Sequence, residues 1–331
     1  MPSGFALVVA ISPQDVGARV SVRRRLPDGR MTDAVGMLLR WSGGTLAVAR
    51  KDGTVTEISE DSLLAGKRVP PTPLRATGSP GEADALQRIA ADGWPAAETA
   101  HLGGWRLRAT SGWTLRANSV LPLGDPGVPL DEALARVDDW YAQRGLPVVY
   151  SVPSTATAVD GALVARGFTV PRNADILVLA GPAVAVPDPV TPDGLPPADL
   201  LPAPGPDWLG CYRARGEQIP AVGLSVLTGA EGVVFAQVRD GGEVLAIGRA
   251  TVAEGWVGLS AVETAPAARR RGLARHVVCA LVAYGRKSGA RDAFLQVARD
   301  NEPALTLYRE LGLTLHHTYH YRVAPGSGAT R

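Results

Sequence analysis

Apolar and polar positions follow three successive patterns along the chain, separated by proline-rich connections. In residues 10–70, short β-favouring runs alternate with turn sequences that contain Asp-Gly or Gly-Gly, which is typical of β-hairpins. The predicted strands cover residues 19–26, 31–41, 46–49 and 55–58. Four or five strands in about sixty residues predict a small β-barrel, which ends at the connection Val69-Pro70-Pro71-Thr72-Pro73.

The second region, residues 79–180, mixes helical and strand periodicity. Its apolar spacing predicts helices at 81–91, 130–144 and 157–167 and strands at 104–109, 113–122 and 147–152.

The third region, residues 207–323, follows a connection at 181–206 that contains nine prolines. Because proline lacks an N–H donor, we expect no regular element in this connection. A helix near 208–215 and strands at 233–239 and 244–253 are predicted next. The order helix–Gly145–strand–helix–Gly167 recurs as helix–Gly289–strand–helix–Gly312, which indicates a weak internal repeat.

Composition limits the classes of function. A chain of 331 residues with 46% hydrophobic and 20% charged residues indicates a soluble globular protein of two or three domains. The net charge of +2 gives no argument for a nucleic-acid or membrane partner, and we expect no signal peptide and no membrane span. Cys211 and Cys279 are far apart, which favours reduced thiols, a cytoplasmic location and no metal site.

The sequence Arg269-Arg270-Arg271-Gly272-Leu273-Ala274 lies between a predicted strand and a predicted helix. It fits the pattern Gln/Arg-x-x-Gly-x-Gly/Ala, in which backbone N–H groups converge on a pyrophosphate at a helix N-terminus. Gly272 and the small Ala274 allow a phosphate to approach the main chain, and the arginines add positive charge. The alternative is a solvated helix start in an arginine-rich chain.

Residues 256–313 resemble the acyl-CoA-binding half of the GNAT acetyltransferase superfamily. The features that carry the resemblance are a strand ending Val262-Glu263-Thr264, then Pro266, the arginine-glycine motif, a strand at 294–297, and Asn301…Ala304…Leu307-Tyr308…Gly312. The whole chain also resembles an actinobacterial family with an SH3-like β-barrel and tandem GNAT domains. Some of its members are described as N-acetylglutamate synthases.

The resemblance implies an α/β (α+β) fold in which tandem GNAT domains, each a mixed central sheet flanked by helices, follow the barrel. The expected domains are an SH3-like β-barrel at 1–72, a degenerate GNAT-like domain at 73–181, a proline-rich linker at 182–206 and a catalytic GNAT domain at 207–331. The second region is expected to be degenerate because it lacks a second arginine-glycine motif between a strand and a helix.

The resemblance also implies acetyl-CoA as cofactor and direct transfer of its acetyl group to the primary amine of a small molecule. Val262 and Thr264 would bind the pantetheine arm through their backbone, Arg269–Ala274 the pyrophosphate, and Asn301 would cap a helix beside that arm. Tyr308 is expected to be the acid for the departing thiolate, with a core aromatic as the alternative. Glu263 is the candidate base because it is the carboxylate at the end of the splayed strand; a surface glutamate is the alternative.

L-glutamate is the leading acceptor hypothesis, which would place the protein in arginine biosynthesis. Arg116 and Asn118 form a polar cluster that could grip a carboxylate, and Arg213 and Arg215 are second candidates. Strand-surface arginine is the alternative for Arg116.

Other functions remain as alternatives. His316 and His320 would share a face of a terminal strand, but we expect an exposed strand rather than a metal site. The barrel is expected to serve in interaction or assembly, which allows a homo-oligomer, and nucleic-acid binding is not favoured. The competing function is a regulator that binds acyl-CoA or associates with nucleic acid and retains relic GNAT domains.

Overall fold

The computed structural model describes residues 9–50, 54–69, 75–171, 174–212 and 219–326. The chain divides into two compact units, Met1–Leu74 and Arg75–Arg331. The second unit contains both regions that the sequence predicts to be GNAT-like, together with the connection between them.

Five antiparallel strands form the N-terminal unit. They are β1 (Arg19–Arg25), β2 (Met31–Ser42), β3 (Thr45–Arg50), β4 (Val55–Ser59) and β5 (Leu63–Arg68). They pair in the order β4-β3-β2-β1-β5, around an apolar core that includes Val22 and Leu38. Gly29, Gly43 and Gly44 have positive φ angles in the turns after β1 and β2, as Asp-Gly and Gly-Gly hairpins require. The third predicted turn, at 51–53, lies outside the described residues.

The second unit contains ten strands and seven α-helices among its described residues. The strands are β6 (Glu98–Leu102), β7 (Trp105–Ala109), β8 (Val149–Pro153), β9 (Asp175–Pro182), β10 (Asp199–Leu201), β11 (Val233–Asp240), β12 (Glu243–Ala253), β13 (Trp256–Thr264), β14 (Asp292–Ala298) and β15 (Thr314–Val323). The helices are α1 (Pro80–Asp92), α2 (Leu130–Ala142), α3 (Thr157–Ala165), α4 (Pro206–Cys211), α5 (Ala221–Thr228), α6 (Leu273–Lys287) and α7 (Glu302–Glu310). None of the helices in the described part of the chain is long and apolar enough to span a membrane.

Eight strands form one continuous sheet in the order β10-β11-β12-β13-β14-β9-β15-β8. Strands β13 and β14 are parallel, and the other neighbouring pairs are antiparallel. The order interleaves the two sequence regions: β9 of the second region pairs with β14, and β15 of the third region pairs with β8. Strands of the two sequence regions therefore pair with each other within the single sheet.

The weak internal repeat appears as the element orders α2–β8–α3 and α6–β14–α7. Gly145 and Gly289 follow the first helix of each set, and Gly167 and Gly312 follow the second. All four have positive φ angles, between 61° and 92°, which is the left-handed conformation that commonly ends a helix. The repeat thus reflects equivalent local structure in both halves.

Helices cover both faces of the sheet. On one face, Val277 and Leu281 of α6 and Leu305 of α7 pack into the largest apolar core; we call this the α6 face. On the opposite face, Leu86 and Ile89 of α1 pack into a second core that contains Phe294 and Tyr319; we call this the α1 face.

Local predictions failed in two places. The strand predicted at 113–122 is instead a turn with a short 3-10 helix at Leu115–Ala117 and isolated bridges at Val120 and Leu121. The proline-rich connection does contain a regular element, because the proline-free segment Asp199–Leu201 pairs with β11 as strand β10. Strands β6 and β9 and helix α5 were not predicted.

Candidate functional site

Strands β13 and β14 separate after a short paired stretch. Their parallel pairing runs from Trp256 with Asp292 to Leu259 with Leu295. Both strands continue beyond this point, β13 to Thr264 and β14 to Ala298, and all of these residues are described, but they no longer pair with each other. The backbone groups of β13 after Leu259 therefore line an opening that an extended ligand can enter as an additional strand.

A β-bulge in β13 lies at this opening. Arg249 of β12 pairs with Ser260, whereas Ile247 pairs with Glu263, so two residues of β13 face one residue, Gly248, of β12. A side chain at Gly248 would collide with α6, since a Cβ there would lie 2.5 Å from Val277 Cγ1. Glycine thus lets α6 pack against the bulge. Bulges of this kind re-aim side chains and end pairing, often beside active sites.

The bulge decides where the predicted residues of β13 point. Val262 packs into the core on the α6 face, whereas Ala261 packs with Ile247 on the α1 face. The carboxylate of Glu263 points to the same side as Ala261: burial raises the pKa of Tyr212 to about 12, and the negative charge of Glu263 contributes to the rise. Glu263 and Val262 therefore lie on opposite faces of the sheet.

The arginine-glycine motif forms the turn that opens α6. Arg270 and Gly272 have positive φ angles of 64° and 77°, and Gly272 is the N-cap residue without any side-chain cap. The side chains of Arg269, Arg270 and Arg271 are exposed, whereas Leu273 is buried and anchors the turn. Backbone N–H groups of the first helical turn and three cations thus converge, and this arrangement fits a diphosphate.

Asn301 and Tyr308 lie on the segment after β14. Asn301 is the N-cap of α7, where its Oδ1 accepts a hydrogen bond from Ala304 N at 3.3 Å, so the predicted cap is present. Tyr308 is 8% exposed within the core of the α6 face, and burial raises its pKa to about 12. Its hydroxyl therefore remains protonated near neutral pH, as a proton donor requires.

The predicted acceptor residues differ in their surroundings. Arg116 lies with its guanidinium carbon 5.3 Å from the centre of the Trp94 ring. Asn118 instead holds its own loop: Oδ1 accepts from Thr110 N at 2.6 Å and from Gly112 N at 3.0 Å, and Nδ2 donates to the Thr114 carbonyl at 2.9 Å. Both polar atoms of the Asn118 side chain are thus occupied by hydrogen bonds to the backbone. Arg213 and Arg215 lie outside the described residues.

Arg249 is a site residue that sequence reasoning missed. It is 1% exposed, and its guanidinium carbon lies 5.2 Å from the centre of the Trp94 ring. Nε donates to the Leu227 carbonyl at 2.7 Å and Nη1 to Ser260 Oγ at 3.2 Å. A signal was present, because a lone arginine interrupts the apolar strand β12, and a charge in such a position requires a partner.

The histidines of β15 do not share one face. His316 and His317 bring their Nδ1 atoms within 2.8 Å on the α1 face, where His317 Nε2 lies 3.0 Å from Gln87 Nε2. His320 Nε2 contacts Asp160 of α3 at 2.8 Å. A register shift early in β15 separates them, and β15 is an interior strand with His317 buried. The expectations of one face and of an exposed terminal strand are therefore wrong.

A narrow cleft on the α1 face leads to the opening between β13 and β14. It has a cavity volume of about 20 Å³, enough for about one water molecule. Its lining includes Trp94, Arg116, Arg249, Ser260, Phe294 and Gln296. A wider cleft of about 720 Å³ shares Gly93 and Thr251 with it and extends along β12. The opening can thus be reached from the α1 face as well as from the motif at α6.

A mixed sheet with a splayed parallel pair, a bulged strand and an uncapped, arginine-rich helix start defines an acyl-CoA-dependent N-acyltransferase of the GNAT type. Comparisons with known proteins agree. Residues 81–322 match the family model described as "Probable histone acetyltransferase Rv0428c C-terminal", and residues 14–67 match "Rv0428c N-terminal Sm-like domain". The N-terminal unit is therefore matched to Sm-like domains and not specifically to SH3-like barrels.

Relatives cover most of the chain. The probable histone acetyltransferase Rv0428c of Mycobacterium tuberculosis is 31% identical over 328 residues, which are 96% of this chain and 98% of that protein. A GCN5-related N-acetyltransferase from Kribbella flavida shares the fold with a TM-score of 0.56, 19% identity and coverage of 76% of this chain and 98% of that one. A tandem GNAT protein from the clavulanic acid biosynthesis pathway has a TM-score of 0.54 and 13% identity, covering 73% and 87%.

The chain belongs to the Rv0428c family of GNAT-type N-acetyltransferases. The sequence-based predictions of an enzyme and of the GNAT fold are confirmed. Enzymes of this class take the acetyl group from acetyl-CoA, in agreement with the cofactor expected from the motif. The regulator with relic domains is not supported.

Proposed function

We propose that the protein transfers the acetyl group of acetyl-CoA directly to the primary amine of its acceptor. The observation that carries this proposal is the opening between β13 and β14 beside the uncapped N-terminus of α6. An extended amide-containing chain fits the first feature and a diphosphate fits the second. Acetyl-CoA, when bound, supplies both groups and the thioester that reacts.

Each residue has one task in this proposal. The backbone of Val262 and Thr264 binds the amide-containing arm, and residues 269–274 bind the diphosphate. Glu263 accepts a proton from the acceptor amine, directly or through water, because only a neutral amine is nucleophilic. Tyr308 donates a proton to the leaving sulfur. Its pKa of about 12 keeps the hydroxyl protonated until the sulfur leaves.

Two acceptors are consistent with the site. L-glutamate is the first, because the side chain of Arg116 lines the cleft at the opening and can hold a carboxylate; the protein would then be an N-acetylglutamate synthase of arginine biosynthesis. The second is a lysine side chain of a protein, which is favoured by the description of the M. tuberculosis relative as a probable histone acetyltransferase.

The test is release of coenzyme A thiol from acetyl-CoA in the presence of single acceptors. L-glutamate, other amino acids, polyamines, aminoglycosides and a histone-tail peptide form the panel. Saturable release with one acceptor, abolished in Tyr308→Phe with Glu263→Gln, supports the proposal. Binding of acetyl-CoA without release from any acceptor, including a panel of whole-cell metabolites, would contradict it.

A further inference from the structure

Two arginines meet at one tryptophan ring on the α1 face. The guanidinium carbons of Arg116 and Arg249 lie 5.3 and 5.2 Å from the centre of the Trp94 ring. Their mutual repulsion helps to lower the pKa of Arg249 to about 9, although burial is the larger cause. Neither arginine forms an ion pair with a carboxylate among the described residues. Two like charges are therefore held at one ring. Burial opposes the charge of Arg116, but Tyr319, Tyr321 and Tyr212 around it leave its pKa raised overall.

The guanidinium of Arg249 is only partly satisfied. Nε and Nη1 have acceptors, but Nη2 is buried and has no hydrogen-bond partner. Arg108, also buried on this side of the molecule, is a structural arginine for comparison. Its Nε donates to the Ser119 carbonyl at 3.0 Å, and its Nη2 donates to Ser119 Oγ at 2.9 Å. A buried donor without an acceptor destabilises the fold, so Arg249 is poorly explained by packing alone.

Position links this donor to the reaction. Arg249, Arg116 and Trp94 line the narrow cleft, together with Ser260 at the start of the opening between β13 and β14. Ser260 also binds Arg249 directly, through Oγ. A group bound by these arginines would therefore lie within one or two residues of the bulge, on the face to which Glu263 points.

We propose that Arg249 and Arg116, together with Trp94, form a binding site for a carboxylate of the acceptor substrate. A planar carboxylate accepts parallel hydrogen bonds from a guanidinium. It would provide the acceptor that Arg249 Nη2 lacks and a further negative charge beside both arginines. The flat Trp94 ring keeps the two guanidinium groups oriented through cation–π contacts.

The inference narrows the substrate class and rests on the proposed acetyl transfer. The acceptor carries a carboxylate close to its amine, as amino acids do, whereas polyamines and aminoglycosides carry none. The side-chain amine of an internal lysine in a protein has no such group nearby. The site therefore favours a small amino acid over a protein lysine.

Binding of two matched probes tests the site without turnover. Glutarate and its uncharged diamide, glutaramide, have similar shapes and differ in charge. Each is titrated calorimetrically into the full-length chain with coenzyme A present. We expect wild type to bind glutarate at least tenfold more tightly than glutaramide, which is the effect of one or two charge-assisted hydrogen bonds.

Variants assign this preference to the arginines. Arg249→Met and Arg116→Met should each lose it, whereas Arg136→Met, at an exposed position of α2, should keep it. Arg116→Met is included because Arg116 is half-buried, so the methionine side chain can occupy the space of its aliphatic stem. Folding of each variant is checked by circular dichroism and by its affinity for coenzyme A.

The outcomes separate this inference from the proposed function. Equal binding of glutarate and glutaramide by wild type, or a preference that survives both arginine substitutions, would overturn the carboxylate site. Tighter binding of inorganic phosphate than of glutarate would also overturn it. Acetylation of a diamine without glutarate binding would leave the acetyltransferase intact and remove the site. A charge-dependent glutarate site without acetyl transfer to any acceptor of the panel would leave the site and remove the proposed function.

Discussion

Replacement of Arg249 by methionine should make the free protein more stable while it removes acceptor binding. The guanidinium of Arg249 is 1% exposed and lies beside a second positive charge, Arg116. Methionine has a similar length and flexibility, so it fills the same space without the charge. If the only role of Arg249 were to stabilise the fold, its replacement would instead make the protein less stable.

The magnitude follows from the pKa of Arg249. It falls from 12.5 to about 9, and each pKa unit corresponds to about 1.4 kcal/mol. Because the folded-state pKa is lower than that of the unfolded chain, the charged group destabilises the fold by about 5 kcal/mol at every pH below about 9. Methionine removes this penalty. It also leaves the carbonyl of Leu227 without its donor, at about 1–3 kcal/mol.

The net expectation is a gain of about 2 kcal/mol, which corresponds to a rise of roughly 4–8 °C in Tm for a unit of this size. Urea denaturation at pH 7 and thermal melting would measure it in wild type and Arg249→Met. Arg136→Met is the exposed control and should change stability by no more than about 0.5 kcal/mol.

Ligand linkage supplies the second half of this test. Glutarate at 100 times its Kd should stabilise wild type by about 2.7 kcal/mol and leave Arg249→Met unchanged. A variant that is 2 kcal/mol or more less stable than wild type at pH 7 would refute the reasoning. Arg249 would then be held by favourable contacts, and its unpaired Nη2 would carry no functional meaning.

Further predictions concern the remaining site residues. Tyr308→Phe should lower kcat at least tenfold, with coenzyme A affinity within twofold of wild type. Because Tyr308 has a pKa of about 12, the wild-type kcat should show no alkaline loss below about pH 10. Equal turnover in the variant and in wild type would exclude Tyr308 as the acid. Gly272→Asp should weaken coenzyme A binding at least tenfold more than Gly272→Asn. Asp and Asn have the same shape and would be equally strained at the φ of 77° of this position, but only Asp repels a diphosphate. Equal affinities of the two variants would exclude the motif as the diphosphate site. Burial, then His316, lowers the pKa of His317 to about 3. A lowered histidine pKa makes stability fall as pH drops below 6.5, so wild type should lose about 2 kcal/mol between pH 7 and 5 in urea titrations. His317→Gln should lose correspondingly less, and an unchanged pH dependence would contradict the assignment.

Sequence patterns predicted the parts of the site that are local. The turn at 269–272, the helix that follows it and the Asn301 cap each depend on residues within one or two turns of each other, and all three are present. Tyr308 lies on the predicted helix, although burial in a shared core could not be read from its spacing. Features that depend only on residues close together in the chain are thus the ones that a single sequence predicts best.

Long-range pairing could not be predicted. The exchange of β9 and β15 between the halves joins residues more than 130 positions apart, and nothing in either segment specifies its partner. The bulge in β13 could not be predicted either, because it is defined by the pairing of β13 with β12, which exists only in the fold. Arg249 was overlooked for a related reason: its meaning depends on Trp94 and Arg116, which the fold brings from another sequence region.

The origin of these residues explains what the second region contributes. It lacks a phosphate-binding motif, yet it supplies Trp94 and Arg116 to the cleft and β9 to the sheet beside β14. The second region therefore makes two physical contributions. It closes the catalytic sheet through exchanged strands, and it places one of the two arginines opposite Arg249. If the carboxylate site is correct, acceptor choice is set by the half that performs no chemistry, and substitutions around Trp94 should change substrate preference while the affinity for coenzyme A stays constant.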